Sequence, residues 1–464
     1  INLYYCRGTS GNEATIVNNL INAEYYGIFF DNYNRYQNIY YNTIHVRYSY
    51  ALYTNYQNYY NNLKNNILLT ESTGNPAAYF IYTNSVDSSD YNDFYSNYAY
   101  PIYASGNKTL AQWQAYGQDS NSVSIDPIFN ADSSLVPQVL PIDNLGTPIT
   151  GITDDIHGST RSTTTPDMGA VEFSLTGTPL SGSYTVGSGG NFATFDSLKN
   201  DLTYFGISGP ITFNILAGTY DAPLELGEIQ GVSATNKVTF QSADANADSV
   251  IWENTANSSA TNYVLKLNGT DHITLKHITF KNQGSSYSQK IVLTGVTDSV
   301  TIDSSKFLGY KSSSTNHVSI WGSGADATGL KIKNSVFTDA GGWAIYLNSN
   351  NSSSPPTGLE ISNNTFTDTY GGIYATYYDA LTIRGNTIVG SYMYDMGINL
   401  NYCDGANVIE DNHINAPDMT YGIYLYYCKG TSGNEATIVN NLINVEDYGI
   451  NIDYQTRYQN IYYN

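Results

Sequence analysis

The sequence has little positive charge. Lys and Arg together number 19 against 40 Asp and Glu, so the formal net charge is −21 at pH 7. Nucleic acids and anionic membrane surfaces bind clustered cations, and this balance argues against both as partners. No apolar run approaches the roughly 18 residues of a membrane span, so none is predicted in this segment.

Cysteine is equally scarce. The three cysteines are Cys6, Cys403 and Cys428, and no spacing among them is typical of a metal site. Cys403 and Cys428 stand one short repeat apart. A disulfide between them and a stack of two buried thiols are both open alternatives.

Small polar residues and tyrosine are abundant instead. Only 13% of the residues are charged, whereas Tyr alone numbers 45. This composition, rich also in Asn, Ser, Thr and Gly, is typical of a solenoid with few helices and many polar turns.

A long repeat joins the two ends of the sequence. Residues 1–42 align without a gap on residues 423–464, and 33 of the 42 pairs are identical. A period of 422 residues is the length of a whole domain. We therefore expect a tandem array of such domains, of which this sequence is one period plus an overlap.

A shorter period lies within the long one. Eight β-branched or aromatic segments with strand character begin at residues 263, 290, 317, 344, 373, 398, 423 and 450. In each coil, a second strand follows. Strands this regular, with no helices between them, predict an all-β parallel β-helix with coils of about 25–27 residues and two or three strands per coil.

The second strand carries a recurring Asn or Ser. We expect these residues to occupy the same corner of successive coils, with the left-handed backbone that Asn tolerates and with amides bonded along the column. This predicted structural ladder comprises Ser305, Ser335, Asn364, Asn386, Asn412, Asn441, Asn19, Asn42 and Asn66.

Residues 184–206 break the coil pattern. They begin with a strand and a Gly-rich turn, and Phe195, Leu198, Leu202 and Phe205 then share one helical face. Thr194 is a suitable N-cap residue. We predict a short helix near 195–205 that caps the open end of a solenoid.

The segment 109–173, called here the closing segment, carries a motif of the pattern D-G-x-x-R…D-x-G-A-x-E. It resembles the closing region of right-handed parallel β-helix domains in giant secreted surface proteins of the Bacteroidetes type. The resemblance implies a right-handed helix and a structural closing cap. The matching positions are Asp155, Gly158, Arg161, Asp167, Gly169, Ala170 and Glu172.

These features predict the domain organisation. Residues 1–173 are interpreted as the C-terminal part of one β-helix repeat domain, and 184–464 as the N-terminal part of the next. Residues 174–183, rich in Ser, Thr, Gly and Pro, are interpreted as an extended linker.

The predicted function follows from the repeats and the resemblance. We expect a structural or adhesive unit of a giant extracellular filament at the bacterial surface, exported by the type IX route and used for attachment, gliding or prey capture. Its partners would be other copies, end to end in one chain or side by side in a bundle, and a cell-surface or glycan target. The alternative is a polysaccharide-binding or polysaccharide-degrading β-helix.

No catalytic or cofactor-binding residue is predicted, and the segment is expected not to be an enzyme. Asp154, Asp155 and His157 are close in sequence and resemble a catalytic acid–base cluster. They lie within the closing motif, however, where Asp and Arg are expected to pair. The metal question stays open, because calcium could occupy the acidic turn 242–249, which lacks the EF-hand order.

Overall fold

The computed structural model describes residues 1–391 and 393–464. The chain divides into two compact units, Ile1–Thr178 and Pro179–Asn464, called unit 1 and unit 2. A strand begins at Leu180, within the segment interpreted from the sequence as a linker, and Leu180 is buried.

Unit 1 is built of short strands and one short helix. The helix is α1 (Leu110–Gln114), and 3₁₀ turns occupy Thr83–Ser85 and Leu140–Ile142. Its strands are β1 (Asn2–Leu3), β2 (Ala14–Val17), β3 (Leu20–Ala23), β4 (Tyr26–Phe30), β5 (Gln37–Tyr40), β6 (Thr43–Val46), β7 (Tyr50–Thr54), β8 (Asn61–Lys64), β9 (Ile67–Thr70), β10 (Ala78–Phe80), β11 (Val86–Asp90), β12 (Asp93–Ser96), β13 (Ile102–Ala104) and β14 (Asn107–Lys108).

Unit 2 has the same construction over more coils. It holds the helix α2 (Phe195–Phe205) and a 3₁₀ turn at Thr315–His317. Its strands are β15 (Leu180–Val186), β16 (Ile207–Ile215), β17 (Gly218–Asp221), β18 (Leu224–Leu226), β19 (Val238–Ser242), β20 (Val250–Glu253), β21 (Leu265–Asn268), β22 (Ile273–Lys276), β23 (Thr279–Lys281), β24 (Ile291–Thr294), β25 (Thr301–Asp303), β26 (Lys306–Leu308), β27 (Ile320–Ser323), β28 (Lys331–Lys333), β29 (Val336–Thr338), β30 (Ile345–Asn348), β31 (Glu360–Ser362), β32 (Thr365–Thr367), β33 (Ile373–Thr376), β34 (Thr382–Arg384), β35 (Thr387–Val389), β36 (Met396–Asn401), β37 (Val408–Glu410), β38 (His413–Ala416), β39 (Tyr421–Tyr426), β40 (Ala436–Val439), β41 (Leu442–Val445), β42 (Tyr448–Asp453) and β43 (Gln459–Tyr462).

Three sheets run along each unit, and we name them first, second and third by the order of their strands within a coil. In unit 1 the first sheet is β2, β5, β8 and β11, the second is β3, β6, β9 and β12, and the third runs from β1 through β4, β7, β10 and β13 to β14. In unit 2 the three sheets have 11, 9 and 9 strands, running from β15 to β43, from β17 to β41 and from β18 to β42. Among the described strands every pairing is parallel except that of β13 with β14. The prediction of an all-β parallel β-helix is confirmed.

The coil interior is filled by stacked apolar side chains. Phe280, Phe307, Phe337 and Phe366 follow one another in the second sheet with ring centroids 5.4, 4.5 and 4.9 Å apart, and all four are fully buried. Parallel, in-register pairing places equivalent residues of successive coils directly above each other. A short apolar pattern repeated at each coil therefore produces a continuous core.

The second strand expected in each coil is in fact two strands that flank a corner. In one coil, β25 ends at Asp303 and β26 begins at Lys306. The left-handed residue is Ser304, with φ 50°, which precedes the ladder residue Ser305. Asn18, Asn65 and Asn440 have the same conformation one residue before a ladder position. The expectation that the ladder residues themselves adopt the left-handed backbone is wrong.

The capping helix lies where the sequence predicts it. Thr194 is the N-cap, and its side chain accepts a hydrogen bond from the Ser197 backbone N–H. Phe195, Leu198 and Leu202 are buried, and Phe195 stacks on Trp252 of the core with ring centroids 4.2 Å apart. The apolar face of α2 therefore packs against the coil interior of unit 2.

Helix α1 is not anticipated by the sequence analysis. Thr109 and Gln112 form a reciprocal capping box at its start. Trp113 is buried against Phe80, with ring centroids 5.8 Å apart. The Thr-x-x-Gln spacing before an apolar aromatic residue was the available signal.

Candidate functional site

The predicted ladder residues of unit 2 lie in one buried column. Each Asn donates from Nδ2 to Oδ1 of the next Asn, at 3.0 Å from Asn364 to Asn386, 3.0 Å from Asn386 to Asn412 and 2.9 Å from Asn412 to Asn441. Ser305 and Ser335 join through their backbone N–H groups, at 3.1 and 2.9 Å.

Unit 1 contains a second column of the same kind. Asn19 donates to Asn42 at 2.8 Å, Asn42 to Asn66 at 3.0 Å, and Asn66 to Asn92 at 2.9 Å. Asn92, like Asn464 at the end of the other column, is missing from the set read off the sequence. These amides are occupied by each other and by backbone carbonyls, so their place in the fold is structural.

The closing motif is organised around Arg161, which is buried. Its guanidinium donates to the Gly169 carbonyl at 3.0 Å and lies over the Tyr41 ring at 3.9 Å. The sequence predicts an Asp–Arg pair, but the carboxylate that Arg161 contacts is that of Glu172, at 3.4 Å, whereas Asp167 accepts through its backbone oxygen.

Two aspartates of this motif have pKa values shifted in opposite directions. Burial would raise the pKa of Asp155, but hydrogen bonds from the backbone N–H groups of Glu172, Ser159 and His157 outweigh it and lower that pKa. Burial raises the pKa of Asp167 to about 7, although the backbone N–H groups of Asn144 and Phe173, each at 2.6 Å, favour the ionised form.

The closing segment lies along the second sheet and contacts four successive coils of unit 1. The Asn18 side chain donates to the Asp154 carbonyl at 2.8 Å in the first coil. The Thr43 hydroxyl accepts from Ala170 in the second coil, and Gly169 donates to the Asn65 carbonyl in the third. In the fourth coil, Val123 forms a parallel bridge with Asp93. The motif is therefore a lateral strap on the coils.

A groove of about 460 Å³ opens between this segment and the second sheet. Its floor is formed by residues at equivalent register positions on three neighbouring strands, with His45 beside Leu69 and Leu69 beside Tyr95. The groove is lined by His45, Leu69, Thr70, Glu71, Tyr95, Asn97, Asp126, Ile128, Phe129 and Asp132.

Three lining residues form an acid–base cluster. His45 Nε2 lies 2.9 Å from Glu71 Oε1, and the His45 side chain is only 6% exposed. Its other ring nitrogen, Nδ1, is buried without a hydrogen-bond partner in the described part of the chain. Burial raises the pKa of Asp126, and the negative charge of Glu71 adds to this, against the Ile128 N–H and His45, which lower it.

The groove therefore contains one group suited to donate a proton and another suited to accept one. A carboxyl whose pKa is raised holds its proton to a higher pH than an ordinary aspartate does, and the exposed Glu71 carboxylate beside it can accept one. A groove lined by such groups, with the aromatic rings of Tyr95 and Phe129, has the composition of a ligand site.

Comparison with known proteins gives a family match within unit 2. Residues 234–388 and 289–464 match the family described as the right-handed β-helix region. The chain is a right-handed parallel β-helix protein. No curated protein matches this sequence.

Two solved structures also resemble the β-helix. Both are crystal structures of the pectin methylesterase from Aspergillus niger, one in deglycosylated and one in penultimately deglycosylated form. Each is 12% identical and covers 61% of this chain and 90% of the esterase chain, with TM-scores of 0.34 and 0.33. This likeness concerns the fold alone.

The comparison corrects one prediction. The expectation that the segment is not an enzyme is contradicted, because the similar solved structures are enzymes built on a β-helix. The repeat argument failed for a physical reason: a stack of coils is a scaffold, and it neither supplies nor excludes a catalytic groove on its surface.

The groove residues were missed by sequence analysis. The spacing of the histidines among themselves predicts no site, whereas His45 lies 2.9 Å from Glu71 and lines the groove with Asp126, 81 positions further along the chain. One signal was present: His45 occupies a strand position where the neighbouring coils of the β-helix place Leu69 and Tyr95. The clustered Asp154, Asp155 and His157 belong to the strap.

The remaining predicted features concern metals and thiols. In the described ranges 1–391 and 393–464, no group of three or more His, Cys, Asp or Glu is placed to hold a metal ion. In the acidic turn 242–249, the Asp244 carboxylate accepts hydrogen bonds from the Ser242 and Ser249 hydroxyls.

The two cysteines one coil apart are not bonded to each other. Cys403 and Cys428 are free, buried thiols, so of the two alternatives the stack of buried thiols describes this structure, and the disulfide does not. No helix among the described residues is long and apolar enough to span a membrane.

Proposed function

We propose that this chain is a polysaccharide-active β-helix, whose groove in unit 1 binds a glycan segment and cleaves it by general acid–base catalysis. The observation that carries the proposal is the raised pKa of Asp126, in a groove shared with the His45–Glu71 pair. Burial and a neighbouring carboxylate both favour the protonated form of a carboxylic acid.

Each residue has a distinct role in the proposed cleavage. Asp126 donates its proton to the glycosidic oxygen as the C–O bond breaks, and the bonding electrons pass to that oxygen. A water molecule forms the new bond to the sugar carbon and gives its proton to the exposed carboxylate of Glu71, which is held in place by His45. One water is consumed, and proton return from Glu71 to Asp126 through solvent restores the starting state.

Aromatic side chains support the choice of a glycan. Tyr95 and Phe129 line the groove, and Phe129 lies beside His45, with ring centroids 5.9 Å apart. Sugar rings present flat apolar C–H faces, which pack on aromatic rings while the hydroxyls stay in water. The proposed subsite thus combines an aromatic wall with the acid–base cluster.

The test is bond cleavage by the purified chain. We expect release of new reducing ends from at least one member of a panel of neutral and acidic polysaccharides, with and without calcium. Asp126→Asn should reduce the rate about 10²- to 10⁴-fold, the usual contribution of a general acid. Asp248→Asn, which removes an exposed carboxylate outside the groove, should leave the rate unchanged. Absence of cleavage across the whole panel would contradict the proposal.

A second candidate is favoured by the 33 identities between residues 1–42 and 423–464. Near-identical copies in tandem suit a structural or adhesive repeat of an extracellular filament at the cell surface. Outward aromatic stacks would serve contacts between chains, as where Tyr53, Tyr79 and Tyr103 lie with ring centroids 4.8 and 4.3 Å apart. Antibody labelling of intact and of permeabilised cells tests this candidate, and a signal seen only after permeabilisation would exclude it.

A further inference from the structure

We propose that the unit 1 groove selects uncharged glycans and rejects polyuronates, an inference that rests on the proposed function of the same groove. The motivating observation is the state of its basic side chains. A site for a carboxylated sugar needs a cation that is available to the ligand, most often an Arg or Lys.

Both basic groups at this groove already have carboxylate partners. Arg47 Nη2 lies 2.7 Å from Asp132 Oδ2, and His45 Nε2 lies 2.9 Å from Glu71 Oε1. Neither Lys nor Arg is among the residues that line the groove. A uronate entering here would have to displace one of these pairs.

The acidic groups outnumber the basic ones. Glu71 and Asp132 line the groove as carboxylates, and Asp126, whose pKa is raised mainly by burial and also by Glu71, lines it with them. The formal net charge of −21 adds a long-range repulsion, which salt screens over about 10 Å at 0.1 M.

Uncharged groups also line the groove. They include the aromatic rings of Tyr95 and Phe129 and the amide of Asn97, which is exposed. These side chains suit the C–H faces and hydroxyls of a neutral sugar. The groove thus combines an acid–base cluster with an uncharged binding wall.

The decisive experiment compares polymers that share a backbone and differ in charge. Affinity electrophoresis of the full chain would use fully methyl-esterified polygalacturonate against the unesterified polymer, and hydroxyethylcellulose against carboxymethylcellulose. We expect the neutral member of at least one pair to bind at least about 10-fold more tightly, a difference of about 1.4 kcal/mol. The ratio should shrink between 50 and 500 mM NaCl.

A matched pair of variants tests whether the preference for uncharged polymers arises in the groove. Asp132→Asn releases Arg47 and should raise the affinity for the acidic polymers at least about 3-fold. Asp248→Asn breaks a comparable exposed pair with Lys306 in unit 2 (2.6 Å) and should leave both affinities unchanged. Equal changes in the two variants would show a general charge effect and overturn the assignment to the groove.

The outcomes separate the inference from the proposed function. Tighter binding or faster cleavage of the acidic member in both pairs overturns the selectivity and leaves the polysaccharide activity standing. Failure of all four polymers and of the wider cleavage panel removes the proposed function, and the selectivity with it.

Discussion

Units 1 and 2 share their coils and differ in what lies on their second sheets. In unit 1 the closing segment covers the sheet, so that Thr43 and Asp93 are buried beneath it. In unit 2 the same sheet leaves Val336 36% exposed and Leu442 63% exposed. The alignment of residues 1–42 with 423–464 makes Leu442 the equivalent of Leu20, so the two sheets correspond.

This difference shows that the coils form the scaffold and that the candidate site depends on the closing segment. Both units contain a buried Asn column and stacked aromatic rings, yet the acid–base groove forms where an irregular segment crosses the coils. The coils supply a flat, rigid wall, and the segment laid over it supplies the second wall together with Asp126. Function on this fold is therefore expected to follow the irregular segments.

The largest effect is expected from removing the Arg161 side chain. Arg161→Ala removes a buried cation that faces the partly exposed Glu172 carboxylate, together with its stacking on Tyr41 and its hydrogen bond to Gly169, so unit 1 should lose about 3–5 kcal/mol. Hydrogen exchange measured by mass spectrometry on the full chain should show faster exchange throughout unit 1 and unchanged exchange in unit 2.

The control is the exposed counterpart in unit 2. Arg384→Ala breaks a 3.3 Å contact with Glu360 in which the Arg side chain is 52% exposed, and such surface pairs contribute about 0–1 kcal/mol. Equal losses for the two variants would show that the strap does not stabilise unit 1.

The two Asn columns should respond equally to truncation. Asn66 in unit 1 and Asn386 in unit 2 each donate to a backbone carbonyl, at 2.8 and 2.9 Å, and to the next Asn. Replacement by Ala leaves buried groups unsatisfied, and we expect each variant to lose about 1–3 kcal/mol in denaturant unfolding.

An outward-facing Asn provides the control for the columns. Asn62 donates to Asn38 at 2.9 Å on the partly exposed side of the first sheet, and Asn62→Ala should cost less than about 1 kcal/mol. If Asn66→Ala and Asn62→Ala proved equally mild, the buried column would not be a source of stability.

Two aspartates of the closing motif, Asp167 and Asp155, should contribute to the pH dependence of unit 1 stability with opposite signs. The pKa of Asp167, about 7 when folded, exceeds the unfolded value of about 3.9, so its stabilising contribution is complete below pH 4 and is lost as pH rises to 7. The pKa of Asp155 is lowered, so its contribution is present above pH 4 and is lost as pH falls below that.

Two variants test the opposite directions of these pKa shifts. Asp167→Asn should flatten the decline in unit 1 stability between pH 4 and 7, on the order of 1–2 kcal/mol, whereas Asp155→Asn should flatten the decline below pH 4. Urea unfolding at pH 3 to 8 measures both. The same change of slope in the two variants would refute the opposite shifts.

The sequence by itself determined the repeated parts of the molecule. The coil period, the third-sheet strands that begin near residues 291, 345 and 398, and the helix at 195–205 are all visible in local patterns. Parallel in-register stacking makes this possible, because each coil contacts mainly its neighbours and the same short pattern must recur in each.

The site was decided by the tertiary structure. Nothing near Asp126 in the sequence indicates that it lies beside His45 and Glu71, because the path of the closing segment is fixed by contacts far along the chain, such as that of Arg161 with Asn18 at 2.9 Å. Backbone pairing repeats at every coil and leaves a period in the sequence. An irregular segment that is held by individual side chains leaves none, and only folding brings its residues to the sheet.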